Sequence, residues 1–195
     1  MQFTFIANAC GIFKGSRGTE ILTDPWLDDG VFEGSWCHYP PLKTNHKDLQ
    51  NVDGIYLSHI HPDHYDNRFF KYPLSTPIFI LKNKYDFLAR NLRKEGYENV
   101  IELESGVPYE FNEIKLTIYS PFVGNNYYIS ELGNLIDSAL IVQDENGMCA
   151  FNANDNTPDL NACYMLKEKF GIFDLAMINY NAAGPYPSCF RNLSE

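Results

Sequence analysis

A chain of 195 residues is long enough for one domain with a sizeable core and short for two. Its 45% hydrophobic and 15% aromatic content excludes a disordered chain. The formal net charge of -10 argues against nucleic acid or an anionic membrane as the main partner, because both demand positive charge.

The opening "MQFTFIANACGIF" lacks a basic start and a processing site, so it reads as a first strand rather than a signal peptide. Runs rich in Ile, Leu, Val, Phe and Tyr, bounded by Gly, Asn, Asp and Pro, predict strands over 3–7, 19–24, 54–59 and 77–81. Four more follow over 114–119, 138–144, 147–153 and 173–179, with Glu145, Asn146 and Gly147 turning a hairpin between the second and third of these. Helices are predicted over 64–72, over 82–96 (Tyr85, Leu88 and Leu92 at helical spacing, Gly96 as C-cap) and over 158–171. Strands with interspersed helices imply two sheets with outer helices in one α+β domain, residues 1–195. No apolar stretch approaches the length of a membrane span. The five cysteines are odd in number and form no Cys-x-x-Cys pair, so reduced thiols in a cytoplasm are expected.

Residues 24–50 fit neither period. They carry both tryptophans, and a loop of this length in a compact domain is usually functional. Trp26, Trp36, Phe32 and Tyr39 have two readings, a substrate wall or packing against the sheet. His38 is either a surface histidine or a metal-site group delivered by the loop.

Three of the five histidines fall in "YLSHIHPDHYD". A strand end presents His59 and His61 on one side, two residues apart. Pro62 stops the strand, and Asp63 and His64 start the next turn. Imidazole nitrogens and a carboxylate converging in this way suit a borderline divalent cation, with zinc first and iron or manganese as alternatives.

His59-x-His61-x-Asp63-His64 after an apolar strand resembles the signature of the metallo-β-lactamase superfamily. The resemblance implies an αββα sandwich with a metal site at one edge. His59 and His61 would hold a first ion, Asp63 and His64 a second, and Asp155 in "FNANDN" would bridge them. Asp63 would also orient the attacking water as the catalytic carboxylate, and Asp24 in "ILTDPW" would orient ligands from behind. Without the resemblance, Asp24 and Asp155 read as strand-end and turn aspartates. A narrower likeness, carried by "TDPWLDDGVFEGSW", "IYLSHIHPDH", "FNANDN" and "AAGPYPSCF", is to the metallo-β-lactamase-like domain of the CMP-N-acetylneuraminate hydroxylase group. Those hydroxylases carry a Rieske iron–sulfur domain, which needs Cys-x-His or Cys-x-x-His pairs that this sequence does not contain.

Two of the family's histidines are not found. One would fall near 118–126, where Asn125 or Asn126 stands; the other lies beyond "GPYPSCFRNLSE", so the domain is expected to be short at its C-terminus. A partner chain or oligomer would then complete the site. The implied activity is hydrolysis of an ester, amide or phosphodiester in a small, carbohydrate- or nucleotide-sugar-related substrate. The alternatives are a non-catalytic metal- or ligand-binding protein of the same fold and an iron oxygenase fed by an external electron donor. A polyanionic substrate would have only Lys43, Lys47 and Arg191 nearby.

Overall fold

A computed structural model describes residues 1–84, 86–120, 137–156 and 158–179. Eleven strands in these residues form two sheets. The first sheet is β1 (Gln2–Ala7), β2 (Cys10–Lys14), β3 (Glu20–Thr23), β4 (Gly54–Tyr56), β5 (Ile78–Leu81) and β6 (Val100–Leu103), in that spatial order. It is antiparallel through β3 and parallel from β3 to β6. The second sheet holds β7 (Tyr109–Phe111), β8 (Ile114–Tyr119), β9 (Ala139–Asp144), β10 (Cys149–Asn152) and β11 (Leu175–Met177), ordered β11-β10-β9-β8-β7. Its strands are antiparallel except for the β10–β11 pair.

Side-chain alternation builds the layers. Tyr56, Phe79 and Leu81 point into the space between the sheets and meet Leu116, Ile118, Leu140 and Val142 from the other side. Their neighbours Ile55, Ile78 and Ile80 point outward and pack with Ala89 and Leu92 of the helix Phe87–Lys94. Outward-facing Ile141 and Phe151 of the second sheet meet Leu166 of the helix Leu160–Phe170. Strands covered on both faces explain the continuous apolar runs "IFIL" and "ALIV". The result is the α+β, αββα sandwich expected from the sequence. Among the described residues, no helix is long and apolar enough to cross a membrane.

Most predicted elements appear with shortened ends. The opening segment is a hairpin rather than one strand, turning at Asn8 (φ 52°) so that Ala7 faces Cys10. The strands β6 and β7 were not predicted; they are short and half-buried. The helix expected over 82–96 is restricted to Phe87–Lys94, and Gly96 ends it at φ 95°. The helix expected over 64–72 does not form. Single turns close there instead, from Tyr65 N–H to His61 O and from Phe70 N–H to Asp66 O. Tyr65, Phe70 and Tyr72 all enter the core from this stretch, at spacings one helix face does not provide. Tertiary packing overrides the local preference.

The two ends of the sandwich differ. The β3 and β4 chains leave the first sheet at the end where β9 begins and β10 finishes, since Tyr119 pairs with Ala139 and Asn152 with Leu140. The opposite end is closed by Glu113, whose buried carboxylate accepts hydrogen bonds from Thr19 N–H (3.0 Å), Thr19 Oγ (2.6 Å) and Arg17 N–H (3.0 Å). Burial raises its pKa, but these donors outweigh that and hold it down at about 2.

Two consequences can be measured. A methyl group on Gly54 would lie 2.6 Å from the buried Phe79 ring and 3.2 Å from Ile21, so Gly54→Ala should cost about 1–3 kcal/mol in denaturant unfolding. The Glu113 carboxylate has a depressed native pKa. Its contribution is therefore complete above its ordinary value of 4.5 and is lost as pH falls toward about 2. Wild-type protein should lose more stability than Glu113→Gln across that interval; parallel curves would show that the clamp contributes nothing.

Candidate metal centre

At the end of the sandwich away from Glu113, four chain segments converge. The chain leaves β3 at Asp24, which is fully buried with φ 36°. Its N–H donates to Tyr56 O (3.0 Å), which ties it to the end of β4. Asp24 Oδ1 accepts the Ser58 N–H (2.7 Å), and Oδ2 lies 3.1 Å from His64 Nδ1. A buried carboxylate must find such partners, and here they are the backbone and side chain of the histidine segment.

His59 and His64 are each 1% exposed, with ring centroids 4.1 Å apart. Ser58 Oγ lies between their Nδ1 atoms, at 2.9 Å and 3.1 Å. With Nδ1 engaged on both rings, the Nε2 atoms face inward. His59 Nε2 is 2.8 Å from His61 Nδ1 and 3.6 Å from Asp155 Oδ2. His64 Nε2 is 3.6 Å from both Asp155 Oδ2 and Asp63 Oδ2, and it is buried with no hydrogen-bond partner. One ligand atom each from His59, His64 and Asp155 fall within 4.8 Å of one another. His61 is exposed at the rim and Asp63 is buried. The sequence motif is thus gathered into one small volume together with Asp155.

Asp137, absent from the sequence reading, also lies here. Its Oδ1 is 3.3 Å from His59 Nδ1, and it stands immediately before β9. In the sequence it is only a carboxylate ahead of an apolar strand, with no motif around it. Asn179 adds an amide contact to Asp155 Oδ1 at 3.3 Å.

The local electrostatics follow from this crowding. Burial, then the His64 and His61 rings, hold the His59 imidazole well below its ordinary pKa. Burial opposes charge on His64 as well, but Asp24 and Asp155 outweigh it and hold that ring well above its ordinary value. Burial and the nearby Asp155 push Asp137 well up. Burial raises Asp155, and His64 more than reverses this. The ion pairs made by Asp24, Asp63, Asp137 and Asp155 are with imidazoles. Such a set of ligand atoms, with an inward Nε2 that makes no hydrogen bond, fits a divalent cation.

The aromatic loop forms its own cluster. Trp26 is buried, packs 4.1 Å from the His38 ring and donates Nε1–H to Asp28 O. His38 is engaged by Asp29, Nδ1 to Oδ1 at 3.0 Å, and none of its recorded contacts is with the metal-site residues. Trp36 is 45% exposed and Tyr39 is 95% exposed. His46 ties the loop down through Asp28 and Tyr72. Lys43 and Lys47 are exposed. Asn125, Asn126 and Arg191 lie outside the described residues.

Comparison with known proteins agrees with this geometry. A candidate Rieske 2Fe-2S iron-sulfur protein of Mycolicibacterium smegmatis is 32% identical over 199 residues, 97% of this chain and 36% of the relative. The chain therefore spans about a third of the length of that curated relative. Cytidine monophosphate-N-acetylneuraminic acid hydroxylase of Danio rerio is 34% identical over 65 residues, 33% of this chain and 11% of that protein. Among solved structures, an isothiocyanate hydrolase from Delia radicum gut bacteria superposes with a TM-score of 0.75 at 19% identity, covering 100% of this chain and 80% of that one. CmlA, a diiron β-hydroxylase from Streptomyces venezuelae, gives 0.72 at 18% identity, covering 97% and 36%. Both share the fold. Residues 19–188 match the family described as the β-lactamase superfamily domain. With its two sheets, outer helices and His-x-His-x-Asp-His segment, the chain belongs to that family and has the metallo-β-lactamase fold.

Proposed function

We propose that this chain is a metal-dependent hydrolase whose divalent ion is held by His59, His61, Asp63, His64 and Asp155. The observation that carries this is the inward Nε2 of buried His64, which makes no hydrogen bond and faces the Asp155 and Asp63 carboxylates at 3.6 Å beside His59. Zinc is the first choice because imidazole and carboxylate donors suit it, with iron and manganese as alternatives. A bound ion of this kind supplies a water acidic enough to attack an ester, amide or phosphodiester near neutral pH. Asp63 is the residue assigned to orient that water and take its proton. Asp24 engages Nδ1 of His64 and Ser58 Oγ that of His59, with Asp137 alongside, which turns both Nε2 atoms toward the place where the ion would sit. Trp26, Trp36 and His38 are assigned to substrate contact, on the loop that follows Asp24. The substrate is a small molecule. The 65-residue match to the sialic-acid hydroxylase makes carbohydrate or nucleotide-sugar esters the first class to try. The uneven cysteine count keeps the cytoplasm as the expected compartment.

A second reading is redox chemistry at iron on the same residues. It is favoured by the relative named for a Rieske cluster, which matches nearly the whole of this chain. Residues 1–195 hold no Rieske-type cysteine–histidine pairs, so the electrons would come from outside them.

Purified protein should carry at least one divalent ion per chain and hydrolyse chromogenic ester or phosphodiester substrates. Chelation should abolish turnover and zinc should restore it, while Asp63→Asn should lower kcat by roughly 10²–10⁴-fold. Turnover surviving complete chelation refutes the hydrolase reading; recovery with iron plus a reductant, and not with zinc, selects the redox one. Asp24→Asn places an amide N–H against His64 Nδ1, where an acceptor is needed. Metal affinity in a competitive chelator titration should fall about 10–100-fold with the fold retained. An unchanged affinity would mean that Asp24 does not orient His64.

A further inference from the structure

Tyr56 ends β4 and is fully buried between the sheets, its ring packed in the central core. Its hydroxyl crosses to the second sheet. It lies 3.1 Å from Ser138 O and 2.8 Å from Ser138 Oγ, and it accepts a hydrogen bond from Asn154 Nδ2 at 3.0 Å. Ser138 Oγ in turn donates to Ser58 O (2.9 Å), and Asn154 Nδ2 also donates to Ser138 O (2.9 Å). Because the Ser138 hydroxyl proton is committed to Ser58 O, the Tyr56 O–H is the donor toward Ser138.

The three other members of this network each adjoin a metal-site residue in the chain. Ser58 precedes His59, Ser138 follows Asp137, and Asn154 precedes Asp155. The two cross-sheet links are not equivalent. Asp137 is tied to the histidine segment twice, through Ser138 to Ser58 O and through its own contact with His59. Among the hydrogen bonds recorded for the Asn154 side chain, the one to Tyr56 crosses to the first sheet, and the one to Ser138 stays within the second.

We propose that the Tyr56 hydroxyl is a positioning group: it sets the spacing between Asp155, carried on the second sheet, and His59 and His64, carried on the first. Asp155 lies 3.6 Å from the Nε2 of both histidines, so a small shift of the β10 end changes the whole donor set. The proposal rests on the metal reading above. It predicts that removing one oxygen, whose hydrogen bonds are to Ser138 and Asn154 rather than to a ligand residue, degrades metal binding.

The test is titration of metal-free protein with Co2+, read by ligand-field absorption, in wild type, Tyr56→Phe, Asn154→Ala and their double variant. Glu113→Gln serves as a control that loosens the same two sheets at the opposite end. Tyr56→Phe and Asn154→Ala should each weaken Co2+ binding by on the order of tenfold or more, with an altered absorption envelope. The double variant should add little to either, because both delete the Tyr56–Asn154 bond that links Asp155 to the first sheet. Glu113→Gln should lower Tm and bind Co2+ as wild type does. If wild type binds Co2+ and both single variants match it in affinity and spectrum, the positioning role is refuted while the metal reading stands. The role is refuted equally if the two losses simply add, or if Glu113→Gln weakens binding as much. Failure of wild type to bind Co2+ overturns the metal reading itself. Should Tyr56→Phe not fold, Asn154→Ala removes the other end of the same bond and decides the question alone.

Discussion

The arrangement of this molecule depends on the buried carboxylate of Asp24. A charge with no exposure must be met by hydrogen bonds, and the groups that meet it are the Ser58 N–H and the His64 ring. That requirement locks the segment leaving β3 to the segment leaving β4. It also fixes which nitrogen of His64 faces the protein and which faces inward. The fold contributes the rest by geometry: a parallel β3–β4 pair delivers both segments at the same end of the sandwich, where β9 starts and β10 stops. Ligands separated by nearly a hundred residues meet because strand polarity brings their ends together.

The two ends of the sandwich divide the work. At one end Glu113 is satisfied by three donors from the facing turn and only holds the sheets together. At the other, carboxylates and imidazoles crowd together, and the inward nitrogen of His64 makes no hydrogen bond. The Glu113 clamp and the histidine–carboxylate cluster therefore lie at opposite ends of the strand axis. This is why a mutation at the Glu113 end is a fair control for one at the metal end.

Much of the fold was legible because it rests on local pattern. Alternating or continuous apolar runs marked eight strands, and Gly147 marked the β9–β10 turn. The gathering of the histidine motif was legible because its residues are close in sequence, and Asp155 because it follows a strand end. What the sequence concealed depends on packing. Tyr65, Phe70 and Tyr72 look compatible with a helix until all three must enter one core, and the predicted helix gives way to single turns. Asp137 was hidden for a different reason: the expected ligand type was histidine, and a carboxylate before "SALIV" has no local mark of its role. The Tyr56 network is invisible in one dimension, since its cross-sheet partners lie 80 to 98 residues apart, and tyrosine, serine and asparagine carry no motif. His38, a ligand candidate by composition, is engaged by Asp29 and Trp26 instead.

The central claim is that the two sheets assemble a divalent-metal centre from His59, His61, Asp63, His64 and Asp155. The most direct measurement is an anomalous difference map from crystals of the metal-loaded protein, recorded at the edge of the metal supplied. The account predicts density enclosed by these side chains, about 2.0–2.2 Å from their nitrogen and oxygen atoms. A map from metal-saturated crystals with no density there, or with the ion bound elsewhere, would contradict it.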